Sequence, residues 1–231
     1  MRIFPYASIS DLSLIVKLFD LIVRGYNTTT GIRKELDIPQ KQLYCILDVL
    51  CYLGVIKKEK IGRRNIYSPV TKELRFKDIF LSDNFVFNVL RCIFNGLKRR
   101  KDIASKLSSN NGKLLRSISS VVSLARKLGL VAPRRPYRLT ENGELLVFRE
   151  AIIRIFEKAR KHGQRVIEIP ELRNMVSRFL IIDRKKFDSL ILKLERIDNK
   201  VHLLEAPALS DMIRKEGIRT ETGIIYYFSY G

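Results

Sequence analysis

Residues 37–56 decide the fold class: Asp37-Ile38-Pro39-Gln40-Lys41-Gln42-Leu43-Tyr44-Cys45-Ile46-Leu47-Asp48-Val49-Leu50-Cys51-Tyr52-Leu53-Gly54-Val55-Ile56. Leu43, Ile46, Leu47, Leu50 and Leu53 recur at three- and four-residue intervals, the period of a helix with one apolar side. Asp37-Ile38-Pro39 ends any helix before it, because the residue preceding proline is disfavoured in helical geometry, and Pro39 suits the first turn of the helix after it. Gly54 supplies the left-handed residue that stops that helix. Upstream, Leu12, Ile15, Val16, Phe19, Ile22 and Val23 set a helix over 11–25 that Gly25 ends. Threonines 28–30 then cap a short helix carrying Ile32 and Leu36. Downstream, two strand-like pieces, 55–60 and 65–68, flank Ile61-Gly62-Arg63-Arg64. The order is helix, helix, turn, helix, hairpin.

The order recurs. Residues 85–94, 101–107 and 113–128 read as three helices, and Leu128-Gly129-Leu130-Val131 repeats the exit Leu53-Gly54-Val55-Ile56 at a distance of 75 residues. Residues 132–138 hold Pro133-Arg134-Arg135-Pro136, a stiff basic hairpin tip, and Thr140 is placed to cap a helix that Glu141 and Glu144 favour at its positive end. Phe148, Ile152, Ile155 and Phe156 carry that helix to Lys161. A β-branched piece at 166–169, helices at 170–180 and 183–197, and strands at 201–205 and 224–230 make a third round. In it Asn199 takes the glycine position, and a long insert includes a helical stretch at 209–215. No Gly/Ser- or Pro-rich spacer separates the rounds, and recurrence at such a period marks tandem modules. The expected fold class is α+β, mainly α with small β-hairpins, in three tandem domains: 1–76, 77–150 and 151–231, the last with a long wing.

Residues 37–56 resemble the helix-turn-helix core of winged-helix DNA-binding domains, with Ile38 as the apolar turn residue, Leu43, Leu47 and Leu50 inward on the recognition helix, and Leu53-Gly54-Val55-Ile56 as the exit into the wing. Pro39 and Cys45 depart from that pattern. Tyr137-Arg138-Leu139-Thr140-Glu141-Asn142-Gly143 resembles the passage from wing to final helix in many archaeal and bacterial winged helices. Abundant Ile and Arg with scarce Gln and no Trp resemble proteins of thermophilic archaeal chromosomes, plasmids or viruses. The resemblance implies a double-stranded DNA-binding protein, a transcription regulator or a replication or partition initiator, with recognition helices in the major groove and basic wings on the backbone or in the minor groove. It implies DNA contacts from Gln40, Lys41, Gln42 and Tyr44 in the first module, with Lys58, Arg63 and Arg64 on a wing that also holds Lys57 and Lys60. In the second they are Lys113, Arg116, Ser117, Ser119 and Ser120 on the helix, with Arg134, Arg135 and Arg138 on the wing. In the third they are Arg184, Lys185, Lys186 and Ser189. The alternative is a protein-interaction scaffold, a subunit of a transcription or membrane-remodelling complex, which Tyr44 and Cys45 favour.

The charge agrees with a polyanionic partner: 44 Lys and Arg against 24 Asp and Glu leave +20 on 231 residues. The three segments hold +6, +9 and +5. Cations so distributed belong to folded modules rather than to a terminal arm, which disfavours a membrane anchor. Lys98-Arg99-Arg100-Lys101 reads either as a phosphate clamp or as a solvated loop. No enzyme is expected, since His162 and His202 lie far apart and no P-loop, GxSxG or HExxH motif is present, and no cofactor or small-molecule substrate is implied. Cys45, Cys51 and Cys92 are odd in number and lack CxxC spacing, against both a disulfide framework and a zinc site. No apolar run reaches the roughly 20 residues of a membrane helix and no signal peptide opens the chain, so a soluble, cytoplasmic protein is expected. The aromatic run 224–230 is expected to bury one side and to offer Ile225 and Tyr227 to a second copy or another protein partner.

Overall fold

Helix α1 (Ser13–Val23) turns Ile15, Leu18, Phe19 and Ile22 inward, and the chain leaves it through Gly25 at φ +97°, a conformation open to glycine without steric cost. The Thr28 hydroxyl accepts from the Gly31 amide at 3.1 Å and so starts α2 (Thr29–Leu36). Helix α3 (Gln40–Tyr52) follows Pro39 and buries Leu43, Ile46, Leu47, Val49 and Leu50. Gly54, left-handed at φ +71°, then releases the chain into the hairpin β1 (Ile56–Ile61) and β2 (Arg64–Pro69), closed by Gly62-Arg63. The other edge of β2 meets Thr28 through a bridge at Ile66, and the Tyr67 amide donates to the Asn27 carbonyl at 2.8 Å. The last strand of the round therefore lies in the middle, between an extended piece after the first helix and β1.

The computed structural model describes residues 3–5, 9, 11–107, 112–206 and 210–231, the side chain of Arg214 excepted. Within these the chain is α+β, dominated by helix, with small antiparallel sheets. Helix α4 (Phe76–Ser82) is absent from the sequence reading, which places the border of the first round at residue 76. It forms on tertiary contact, Phe76 and Phe80 lying 6.0 Å apart, with Phe4 edge-on to Phe80 at 5.9 Å and to Tyr52 at 5.2 Å. The Tyr52 hydroxyl donates to Asp83, which itself accepts from the amides of Phe85 and Val86 at 2.9 Å and caps α5 (Asn84–Phe94). These contacts tie the first two rounds together in one compact unit, Met1–Thr140; Glu141–Gly231 form another.

The second round repeats the first with less sheet. Helices α6 (Arg100–Lys106) and α7 (Gly112–Lys127) lead to Gly129, again left-handed. The expected hairpin is reduced to one bridge, Val131 to Leu139, with the Ala132 amide donating to the Arg138 carbonyl at 2.8 Å. The Tyr137 amide donates to the Lys98 carbonyl at 3.2 Å, so the returning strand is again the middle one.

The third round is complete. Helix α8 (Glu141–Lys161) runs unbroken across the border expected at 150, which is why Glu141 opens the second unit. It is followed by β3 (Ile167–Glu168), α9 (Ile169–Phe179), α10 (Arg184–Ile197), β4 (Val201–Glu205), α11 (Asp211–Glu216), β5 (Ile218–Arg219) and β6 (Ile224–Tyr230). Strand β6 lies between β3 and β4, and β5 pairs with its first residues. Asn199 does not imitate the earlier glycines: among the described non-glycine residues only Asp37 has positive φ. Asp198 holds that exit instead, accepting from the Lys200 amide and pairing with Arg149 Nε at 2.5 Å. The insert helix is found one residue later than expected at its end, at Glu216, and Leu209 lies outside the described residues.

One expectation about this unit is corrected. Ile225 is buried at 7% exposure rather than offered to a partner, because the insert covers it: α11 packs on β6 and Ile218 of β5 pairs with Ile225 itself. Tyr227 is half-buried, its ring edge-on to Tyr226 at 5.2 Å.

Glu150 on α8 is buried beside Arg154, whose Nε lies 2.8 Å from its carboxylate. Burial holds this carboxyl above its usual range in spite of that cation. Its folded pKa exceeds the unfolded one, so the stability it contributes is complete below the unfolded value and is lost as pH rises through the folded value. Glu150→Gln keeps an acceptor for Arg154 and is expected to remove that loss. Urea denaturation of both chains from about pH 4 to 7 should show the variant gaining on the native chain as pH rises; a constant difference would contradict it.

Candidate nucleic-acid interface

Divided at the border the structure draws, the charge is far from even. The first unit holds 27 Lys and Arg against 10 Asp and Glu, a net +17, and the second holds 17 against 14, a net +3. Glu141, Glu144 and Glu150, with Arg149, belong to the second unit, which sharpens the contrast over that of the three expected segments.

Three basic features lie in the first unit. The first is an open groove of about 340 Å3 between α2 and α3, lined by Thr29, Thr30, Arg33, Lys34, Gln40, Leu43 and Tyr44. Gln40 Nε2 donates to the Tyr44 hydroxyl at 3.4 Å, and Lys41, Tyr44 and Asp48 form the exposed stripe of α3 at helical spacing. Arg33 and Lys34 escaped the sequence reading. They follow Ile32, the buried residue of α2, by one and two positions, which turns them outward. Gln42 is only half-exposed, since it precedes the buried Val49 by seven residues and shares its side of the helix.

The second feature is the hairpin. After Ile56 every residue of β1 is exposed, so Lys57, Lys58 and Lys60 face solvent beside Arg63 and Arg64 at the tip. None of these five has a carboxylate partner among the described residues. Tyr67, opposite Lys58 in the ladder, is core: burial pushes its phenol up to about 12.

The third is a cleft of about 600 Å3 that the sequence separates into two pieces. Lys98, Arg99, Arg100, Lys101 and Asp102 form one wall, and Arg135, Pro136 and Tyr137 form the other. The Tyr137–Lys98 backbone bond joins the walls, and Arg100 is steadied by donating to the Ser119 hydroxyl at 2.9 Å. Arg126 lies over the Tyr137 ring, 5.4 Å from its centroid, and donates to the Ala132 carbonyl at 3.1 Å. Arg134 and Arg138 are exposed beside this cleft's loop.

On α7, Lys113 and Arg116 are exposed as expected, but Ser117 and Ser120 are buried, at 4% and 2% exposure. The sequence pattern predicts both to face outward. They share a side with Leu124, and α7 packs on α5 and α6 together, which widens the buried arc of the helix beyond a single apolar stripe. Serine is small enough for that close approach, and Ser120 donates to the Arg116 carbonyl at 3.2 Å. Ser119 is half-exposed and holds Arg100.

In the second unit the expected contacts are turned to other work. Arg184 donates to the carbonyls of Lys215 and Gly217 at 2.7 and 3.2 Å and pairs with Asp188 and Glu216. Arg173, from α9, pairs with the same two carboxylates, so two arginines and two acids clamp the insert onto α9 and α10. Lys186 pairs with Glu144 at 2.9 Å and Lys193 with Glu141 at 2.5 Å. Lys185 and Ser189 remain exposed. Arg184 and Lys186 thus hold carboxylates that the sequence places elsewhere, Glu216 and Glu144, while Asp188 pairs with Arg184 from the same helix.

No family model matches the chain, and a comparison with the curated proteins finds no match. Among the described residues no group of three or more His, Cys, Asp and Glu is arranged to hold a metal ion, and no helix is long and apolar enough to cross a membrane. His162 and His202 are exposed. Cys45, Cys51 and Cys92 are in no disulfide, and burial pushes the Cys92 thiol up.

Proposed function

We propose that the chain is a double-stranded DNA-binding protein of tandem winged-helix build, acting as a transcription regulator or a replication or partition initiator, and that its first unit carries the DNA contacts. The observation that carries this reading is the segregation of charge: +17 on Met1–Thr140 against +3 on Glu141–Gly231, and, among the described residues, hairpin cations exposed and without acidic partners against six cations of the second unit that hold carboxylates. Exposed hairpin cations on a unit of this net charge release counterions from a phosphate backbone, which is the main source of nonspecific affinity. The repeated order of helix, extended piece, two helices and a strand pair whose last member is central supports the winged-helix assignment for each round.

Within the first unit, Lys41, Gln40 and Tyr44 of α3 are the candidates for base edges, while Arg33, Lys34 and the hairpin hold phosphates. The protein-interaction reading attaches to the second unit, whose paired cations favour a neutral surface over a polyanion-binding one. The test is a titration of nonspecific duplex against the full chain at several salt concentrations. The logarithm of the affinity should fall linearly with the logarithm of salt, losing at least tenfold between about 50 and 200 mM, and a flat response would remove the proposal.

Asp48 lies on the exposed stripe with Lys41 and Tyr44, where its carboxylate repels phosphate. Asp48→Asn is expected to raise nonspecific duplex affinity by about threefold, the size of one exposed charge interaction. Competition between the two chains for one labelled duplex measures this, and equal affinity would place Asp48 away from the DNA.

A further inference from the structure

The cleft of the second round differs in shape from the hairpin of the first. The hairpin presents exposed cations along β1 and at its tip, suited to lie along a duplex. Where a second such hairpin was expected, the loop instead turns Arg135 toward Lys98, Arg99, Arg100 and Lys101, so that five cations and one acid, Asp102, surround a concavity of about 600 Å3. That volume is in the range of pockets that take small molecules and matches a short stretch of one backbone rather than a whole duplex cylinder.

From this concavity we infer that the cleft binds the phosphodiester backbone of a single nucleic-acid strand, a ligand distinct from the duplex assigned to α3 and the hairpin. The inference rests on the nucleic-acid reading above only for the class of partner. Two features select backbone over bases. The arginines present planar forks that match phosphate oxygens in pairs. The single aromatic in the wall, Tyr137, is buried at 6% exposure with Arg126 over its ring, which leaves no open stacking platform for a base. Binding is therefore independent of sequence. Among the described residues, Lys98, Arg99, Lys101 and Arg135 have no carboxylate within ion-pair distance, so phosphate displaces no internal ion pair when it enters.

The test compares two double variants of the full chain, Arg99→Ala with Arg135→Ala in the cleft and Lys58→Ala with Arg63→Ala on the hairpin. Each is titrated by fluorescence anisotropy with labelled oligothymidylate of about 16 nucleotides and with duplex of the same length. The cleft variant should lose about tenfold or more for oligothymidylate and less for duplex, and its salt slope on oligothymidylate should shrink by about 1.4, roughly 0.7 per lost phosphate contact. The hairpin variant should lose more for duplex. Equal loss on both ligands makes the cleft a part of the duplex surface and overturns the inference, as does oligothymidylate binding that the cleft variant leaves unchanged. Inorganic tripolyphosphate is the third arm: displacement of oligothymidylate at micromolar concentration assigns the cleft to a free polyphosphate and overturns the strand assignment. If the native chain binds oligothymidylate through the cleft but ignores duplex, the inference stands and the proposed duplex function falls.

Discussion

Reversing three hairpin charges, Lys58→Glu, Arg63→Glu and Arg64→Glu, is expected to lower the affinity of the full chain for nonspecific duplex by about a hundredfold, or about 2.7 kcal/mol. All three side chains are exposed, and none has a carboxylate partner among the described residues. Their removal therefore leaves no buried charge unpaired, and thermal unfolding should shift little. The loss should appear as a smaller salt slope, by about 0.9 for each phosphate contact removed, because each lost contact releases one fewer set of counterions. The measurement is a set of duplex titrations at stepped salt, with a melting curve as the folding check. Unchanged affinity and slope would show that the hairpin faces away from DNA and would leave the groove between α2 and α3 as the surviving candidate.

Phe187→Ala is expected to destabilise the second unit by about 3–5 kcal/mol, the range for deleting a fully buried aromatic ring. Phe187 is 0% exposed on α10, edge-on to Phe148 of α8 at 5.5 Å, with the Arg173 guanidinium 5.5 Å from its ring centroid. Its loss opens a cavity and also loosens the arginine that clamps the insert through Asp188 and Glu216. Urea denaturation gives the effect directly, and a change below about 1 kcal/mol would mean that α10 does not pack as described. Conditions that retain both units should leave the duplex affinity of this variant close to native, since the DNA contacts are assigned to Met1–Thr140. A large fall in duplex affinity would place part of the interface in the second unit.

The long helices were legible because each carries its own period. Ile15, Phe19 and Ile22 of α1 and Leu43, Ile46, Leu47 and Leu50 of α3 are buried as their spacing predicts, whereas Val16 and Val23 are exposed and Leu18 and Val49 are buried outside the expected sets; the stops at Gly25, Gly54 and Gly129 coincide with positive φ. Strands β4 and β6 have the bounds expected for them. Gly96 and Gly163 are also left-handed, and each ends the first helix of its round as Gly25 does. Helix α4 was not legible, since its reason for being is an aromatic contact with Phe4, far away in sequence. The candidate contacts divide in the same way. Lys41, Tyr44, Lys58, Arg63, Arg64, Lys113, Arg116 and Lys185 are exposed where the pattern put them, as are Gln40, Arg134 and Arg135. Ser117 and Ser120 failed because a helix that packs on two neighbours buries more of its surface than one apolar stripe announces.

By itself the sequence determined most of the local elements, their recurrence and the sign of the chain's own net charge, since periodicity, chain-stopping glycines and net charge are properties of consecutive residues. Only the tertiary structure decided which cations remain free. Arg184 and Lys186 read as the peers of Lys58 and Arg63 until Glu216 and Glu144 were found beside them, and Arg135 joined Lys98–Lys101 in a cleft only because a backbone hydrogen bond brings Tyr137 back to Lys98. Coulomb energy depends on distance through space, and pairs separated by tens of residues have no distance until the chain is folded.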